Sequence, residues 1–257
     1  MSGADSMSRM IDPSAEIASD VETGTHVHVG ANVKIGKGSR IGDFVVIHED
    51  TVIGAGVVIG DNSVIGRKPV RAAISTLKPR SLPPLVVGDG CIIGALVAIY
   101  RGARIGQGVM VADLASVREE VEIGKFTIIG RGVAIENDTR IGNYVKVETN
   151  AYVTAHTTIE DRCFVAPMVT MTNDNFLGRT EERFKYTKGP HLKKGARIGA
   201  NATLMPGVTI GEDAVVAAGS LVKRDVPPRK VVAGAPAGLF KDTPPEQLVE
   251  NQNYPED

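Results

Sequence analysis

The sequence has no Trp and only 6 Phe and 5 Tyr in 257 residues. A core anchored on large aromatics is thereby excluded, and any extended core has to be built from Val, Ile and Ala. Cysteine is scarce too: Cys91 and Cys163 lie far apart, with no CxxC spacing and no companion histidines. Neither a disulfide framework nor a metal site is indicated, and a reducing compartment fits. No apolar run approaches the roughly 20 residues that span a bilayer. The opening MSGADSMSRM is polar and lacks the apolar segment of a signal peptide. The expectation is a cytoplasmic protein with no membrane partner, whose residues 1–10 are a disordered end. An excess of one charge sign is also missing, since 29 Lys and Arg face 30 Asp and Glu. That balance removes any global electrostatic reason to expect nucleic acid as a partner.

What the chain has in quantity is Gly, 29 residues, and a period of six. One frame steps through Ile11, Ile17, Thr23, Val29, Ile35, Ile41, Ile47, Ile53, Ile59 and Ile65. A second runs from Val87 through Ile93, Ile99, Ile105 and onward to Met171 without a slip, and a third from Leu192 to Val222. The residue two before each repeating aliphatic, from Ala15 to Ser63, Cys91 to Val169 and Ala196 to Ser220, is Ala, Val, Ser, Thr or Cys. Period two inside a hexad means a short strand with one large and one small inward side chain, followed by a turn. Gly follows the aliphatic at many turns, as in Ile41-Gly42 and Ile141-Gly142. Strands this short bury little alone, so the repeats have to stack, each pairing with its equivalent in the next coil. Both cysteines fall in the small inward slot, which makes them core residues rather than catalytic thiols.

The pattern resembles the left-handed parallel β-helix of the hexapeptide-repeat acyltransferases, in which three hexads make one triangular 18-residue coil. The resemblance covers residues 11–240 and implies an all-β fold of about ten coils. The tail, residues 241–257, offers a short helix after Pro244. Two interruptions break the frame, at residues 66–86 and 172–191. Counting by 18 places both on one edge of the prism, and loops projecting from a rigid scaffold are where function usually sits. The first loop carries Arg67, Lys68, Arg71, Lys78 and Arg80 with no acid, a set suited to gripping a polyphosphate. The second holds Phe176, Phe184 and Tyr186, suited to ring stacking, an acyl chain or a subunit contact. Between the loops, residues 18 apart form two polar columns, Arg101, Glu119, Asn137, Ala155, Asn173 and Gly102, Glu120, Asp138, His156, Asp174.

The stretches VADLASVREEVEIG, IENDTRIGNYVKVETNAYVTAHTTIED and TNDNF, with the closing IGEDAVVAAGSLVKRDVPPRKVVAGAPA, are similar to those of acyl-CoA-dependent N-acyltransferases acting on nucleotide-linked amino sugars. That resemblance implies a homotrimer with active sites between subunits, and acetyl-CoA or another acyl-CoA as co-substrate without a metal. It also implies that Asp113 with Glu119 or Glu120 binds the amine and accepts its proton. His156, between two acids of the column, is the rival base. Asn137, Asn173, Asp174, Phe176, Arg67 and Lys68 are the expected substrate contacts. Ala218, Lys223 and Arg224 are expected along the acyl-CoA. Competing readings are acyl transfer to another small amine or hydroxyl, such as an amino acid intermediate or a free sugar, a γ-type carbonic anhydrase, and a non-catalytic β-helix. The carbonic anhydrase needs three histidines around a metal, an arrangement His26, His28, His48, His156 and His191 do not supply.

Overall fold

The computed structural model describes residues 9–75 and 79–252. Residues 1–8, most of the end expected to be disordered, and Lys78 of the first loop lie outside the described residues. The hexads fold as anticipated into two-residue strands that stack in three parallel sheets. The first sheet starts at Arg9–Ile11, the second at Glu16–Ile17 and the third at Glu22–Thr23, and consecutive strands visit the three in turn. Residues 9 and 10 therefore belong to the first strand rather than to a loose end. The repeat fits the left-handed coil. We call the corner after the first sheet the first edge, that after the second sheet the second edge, and that after the third sheet the third edge.

The first sheet holds eleven strands, one more than the expected ten coils. The eleventh turn opens with Leu221–Val222, the last regular hexad, and is completed by the Ile210–Val226 bridge and the strand Lys230–Ala233. At a spacing of about 4.8 Å the prism is on the order of 50 Å long. The chain then reverses, and Gly238–Asp242 pairs antiparallel with Lys230–Ala233, closing the edge of the third sheet. The short helix expected after Pro244 takes the form of two 3-10 turns, Pro245–Gln247 and Val249–Asn251.

Inside the prism, from Val27 onward, the large and small positions of each hexad are both buried, and their aliphatic side chains form one continuous cluster. Polar residues in the small slot complete the corners. Ser39, Ser63 and Thr127 each donate to a glycine carbonyl of the following coil and accept a backbone N–H from it. Cys91 and Cys163 make the same donation to the carbonyls of Gly106 and Lys193, both at 3.0 Å. Burial pushes the Cys163 thiol up to about 12 and raises Cys91 as well, so both are structural. Glycine after the aliphatic has an equally direct cause. At Gly124 a Cβ would stand 2.5 Å from the carbonyl carbon of Gly142, because turns of adjacent coils stack too closely for a side chain there.

Both interruptions leave from the first edge, as the 18-residue count requires. Val64–Arg67 and Thr170–Met171 lie in the first sheet, and Val86–Val87 and His191–Leu192, where the chain resumes, lie in the second. If stacking of adjacent coils is what holds this core, Ile135→Ala, at a fully buried position in mid-prism, destabilises by about 3 kcal/mol. Chemical denaturation measures this, and a loss below about 1 kcal/mol contradicts it.

Candidate active site

The first edge between the two loops is where charged side chains collect. Its turns present Arg101, Glu119, Asn137, Ala155 and Asn173 in one position and Gly102, Glu120, Asp138 and His156 in the next. Glu120, Asp138 and His156 adopt positive φ of 56°, 56° and 62°. Residues at this turn position do so on all three edges, so the conformation belongs to the coil and is not itself a mark of function.

The two glutamates, equivalent in the sequence, have different surroundings. The Glu119 side chain is 1 % exposed, and the Arg118 guanidinium donates to it at 2.9 and 3.3 Å. Arg118 in turn stacks 4.8 Å from the Tyr100 ring centre and lies 3.8 Å from Glu136. Burial works against the Arg118 cation, but Glu119 and Glu136 outweigh it and hold the guanidinium above its usual value. Glu119 is thus a buried counter-ion that positions Arg118. Glu120 faces outward and meets Arg80 of the first loop at 2.6 Å.

Arg80 also donates to both oxygens of Asp138, at 3.1 and 2.9 Å. Burial pushes the Asp138 carboxyl up, yet the hydrogen bonds from Arg80 and Asn137 prevail and hold it below the usual carboxylate range. Arg101 braces the base of the same loop. Its guanidinium donates to the carbonyls of Leu82 and Glu49 and to Asp50.

Three clefts open around this edge. One of about 490 Å³ lies under the first loop, walled by Lys68, Arg71, Arg80 and Arg101. A second, of about 410 Å³, lies on the second-sheet side, where Glu120, Asp138 and His156 converge with Arg104 and Arg140. A third, of about 490 Å³, lies under the second loop between Asn137, Tyr152, His156, Asn173 and Phe184. His156 stands on the ridge between the last two. Its ring has no hydrogen-bonded partner among the described residues, unlike His191, which meets Glu160 at 2.8 Å.

Other anticipated residues are placed elsewhere or are already engaged. Asp113 is on the third edge, where its carboxylate accepts the Ala95 N–H at 2.9 Å, as Asp43 and Asp61 do in the same column. Within one chain it does not converge with Glu119 or Glu120. Asp174 folds the second loop, accepting from the N–H groups of Phe176 and Gly178 and from Arg183. Those bonds, the Gly178 one foremost, hold its carboxyl low. Phe176 stacks on Tyr186 at 5.9 Å within the loop. Arg67 lies over Tyr100 at 5.8 Å, and Lys68 pairs with Glu49 while lining the basic cleft. Lys223 and Arg224 are exposed on the first edge near the C-terminal end, and Ala218 is exposed on the third. Among the described residues no group of three His, Cys, Asp or Glu is arranged to hold a metal ion. Among the described residues no helix is long and apolar enough to cross a membrane.

These surroundings separate the two glutamates by experiment. Glu119→Ala strands the Arg118 cation and destabilises by about 3 kcal/mol, whereas Glu120→Ala, at a solvent-facing pair, costs under about 1 kcal/mol. Equal losses in denaturation contradict the assignment. The depressed Asp138 carboxyl has a pH consequence. Its contribution to holding the first loop is complete above the ordinary carboxylate value and is lost as the pH falls through the lowered one. Arg80→Gln removes the same contact at neutral pH. Cleavage of residues 66–86 by a non-specific protease accelerates in that variant, and an unchanged rate contradicts the clasp.

Comparison with known proteins places the fold. The bacterial transferase hexapeptide family (six repeats) matches residues 32–67 and 189–224, and the hexapeptide repeat of succinyl-transferase matches residues 84–112. A galactoside O-acetyltransferase of Escherichia coli is 34% identical over 88 residues, covering 33% of this chain and 43% of that protein. A 2,3,4,5-tetrahydropyridine-2,6-dicarboxylate N-acetyltransferase of Staphylococcus aureus is 54% identical over 44 residues, 17% of this chain and 18% of that one. The chain thus matches less than half the length of these relatives. Among solved structures, LpxA of Bacteroides fragilis, a UDP-N-acetylglucosamine acyltransferase, superposes with a TM-score of 0.51 at 20% identity. That superposition covers 91% of this chain and 73% of the other, and shows a shared fold. The six-residue frames, the three parallel sheets and the matched segments agree: this chain is built of hexapeptide repeats folded as a parallel β-helix.

Proposed function

We propose that the chain is an acyl-CoA-dependent N-acyltransferase that acylates the amino group of a nucleotide-linked amino sugar. The observation that carries this reading is the first edge. There Glu120, Asp138 and His156 face one cleft, flanked by a basic cleft under one loop and an aromatic-walled cleft under the other. An amine must shed a proton as it attacks the thioester carbonyl, and the tetrahedral oxyanion needs donors. Glu120 and Asp138 hold the ammonium end. His156, whose ring has no hydrogen-bonded partner among the described residues, accepts the proton and passes it to the leaving thiolate. The similarity to acetyltransferases over parts of the chain supports acyl transfer from a thioester.

The remaining expected residues belong to a larger assembly in this reading. The third edge exposes Leu96, Leu114 and Met168, apolar side chains in a left-handed turn conformation that serves a subunit contact better than solvent. Packing that edge against the first edge of a second copy in a homotrimer carries Asp113 toward Glu120. It also brings Ala218 of one chain toward Lys223 and Arg224 of the next, along the acyl-CoA. Asn137 and Asn173 offer amide groups to the sugar. The enzyme acts in the cytoplasm, where acyl-CoA and nucleotide sugars occur together.

A second reading, O-acylation of a sugar hydroxyl, is favoured by His156 itself, since the same ring can deprotonate a hydroxyl. A panel of UDP- and dTDP-linked amino sugars and their hydroxyl counterparts, with acetyl-CoA and detection of released thiol, decides. Turnover confined to amines is expected. Turnover confined to hydroxyls establishes the second reading, and none with any nucleotide sugar refutes the proposal. His156→Ala lowers kcat by about 100-fold or more with a smaller change in KM.

A further inference from the structure

The first loop and the acidic edge meet at one side chain. Arg80 pairs with Glu120 at 2.6 Å and with both oxygens of Asp138, so a single guanidinium serves two carboxylates stacked in successive coils. The same side chain walls the basic cleft with Lys68, Arg71 and Arg101, a cleft that no acidic residue lines. Glu120 and Asp138 face the other way, into the cleft that holds His156. Arg80 therefore stands between a basic chamber and an acidic one, and its contacts are with the acidic one.

We propose that the cleft under the first loop is the diphosphate subsite of the nucleotide-linked amino sugar, and that the bound diphosphate takes Arg80 away from Glu120 and Asp138 while the sugar ammonium replaces it there. This rests on the N-acyltransferase reading above. No covalent bond changes; two sets of ion pairs are exchanged. A ligand with a diphosphate but no amine draws Arg80 off and leaves two neighbouring carboxylates uncompensated. A ligand with an amine but no diphosphate meets carboxylates that are already paired. Only a ligand carrying both restores every pair it disturbs. Arginine suits the exchange because its planar fork matches carboxylate and phosphate alike. Lys68, held by Glu49, and Arg101, held by Asp50 and two backbone carbonyls, keep the basic wall in place while Arg80 moves. Arg80 is in this sense a specificity-determining residue that makes amine recognition depend on phosphate binding.

The test is calorimetric titration with inorganic pyrophosphate at low salt, with circular dichroism confirming that each variant is folded. Asp138→Asn weakens the hold on Arg80 and binds pyrophosphate about tenfold more tightly than the wild type, while Arg80→Ala binds it about tenfold more weakly. The double variant matches Arg80→Ala, because the gain operates through Arg80. Unchanged or weaker binding by Asp138→Asn, or wild-type binding by Arg80→Ala, overturns the exchange. A second arm compares UDP-glucosamine with UDP-glucose. The wild type prefers the amine, and Asp138→Asn loses much of that preference; equal binding of the two by the wild type overturns the ammonium half. Neither arm uses acyl-CoA, so their failure is distinct from an absence of acyl transfer, which refutes the enzymatic reading instead.

Discussion

The stacking of one 18-residue coil on the next governs everything else in this molecule. Backbone hydrogen bonds fix the coils about 4.8 Å apart, and each turn therefore lies directly over the turn 18 residues earlier. Inside the prism this demands one large and one small residue per strand, which accounts for a core of Ile and Val with Ser, Thr and Cys in the small slot. At the corners it leaves no room for a Cβ after the aliphatic, which accounts for the glycines. On the outside it forces side chains 18 apart into columns, whether or not their charges agree.

That last consequence links fold to chemistry. Two carboxylates about 5 Å apart repel by about 3 kcal/mol at an effective dielectric of about 20. The first edge stacks Glu120 and Asp138 in successive coils, and a loop inserted at the same edge supplies Arg80 to pair with both. Glu119 meets the same problem by turning inward onto Arg118. The scaffold thus keeps acids closer together than solvent would favour, and the cations that balance them come from the first loop and from the residue just before Glu119. A site built this way is sensitive to any ligand that competes for those cations.

Much of this was legible from residue spacing. The three hexad frames identify every regular strand, and counting by 18 correctly sends both loops out from one edge and aligns Glu120, Asp138 and His156. What spacing could not convey was the direction of individual side chains. Glu119 and Glu120 are adjacent acids in a turn, and only the left-handed conformation of Glu120 separates the outward one from the buried one. Asp113 and Asp174 look like free carboxylates in sequence, yet each is occupied by backbone N–H groups. Arg80 was visible as charge, but its contact spans 58 residues along the chain, beyond the reach of a periodic pattern. The close of the eleventh turn falls outside the frame because Val226 follows Val222 after four residues instead of six, before the six-residue step resumes at Val232.

The proposed function requires substrate to bind at the first edge, between the two loops. Hydrogen exchange with and without uridine and thymidine diphosphates tests it most directly. Protection confined to residues 66–86 and to the turns at 119–120 and 137–138 is the predicted result. Protection elsewhere on the prism, with the first loop exchanging as in the free protein, would contradict it.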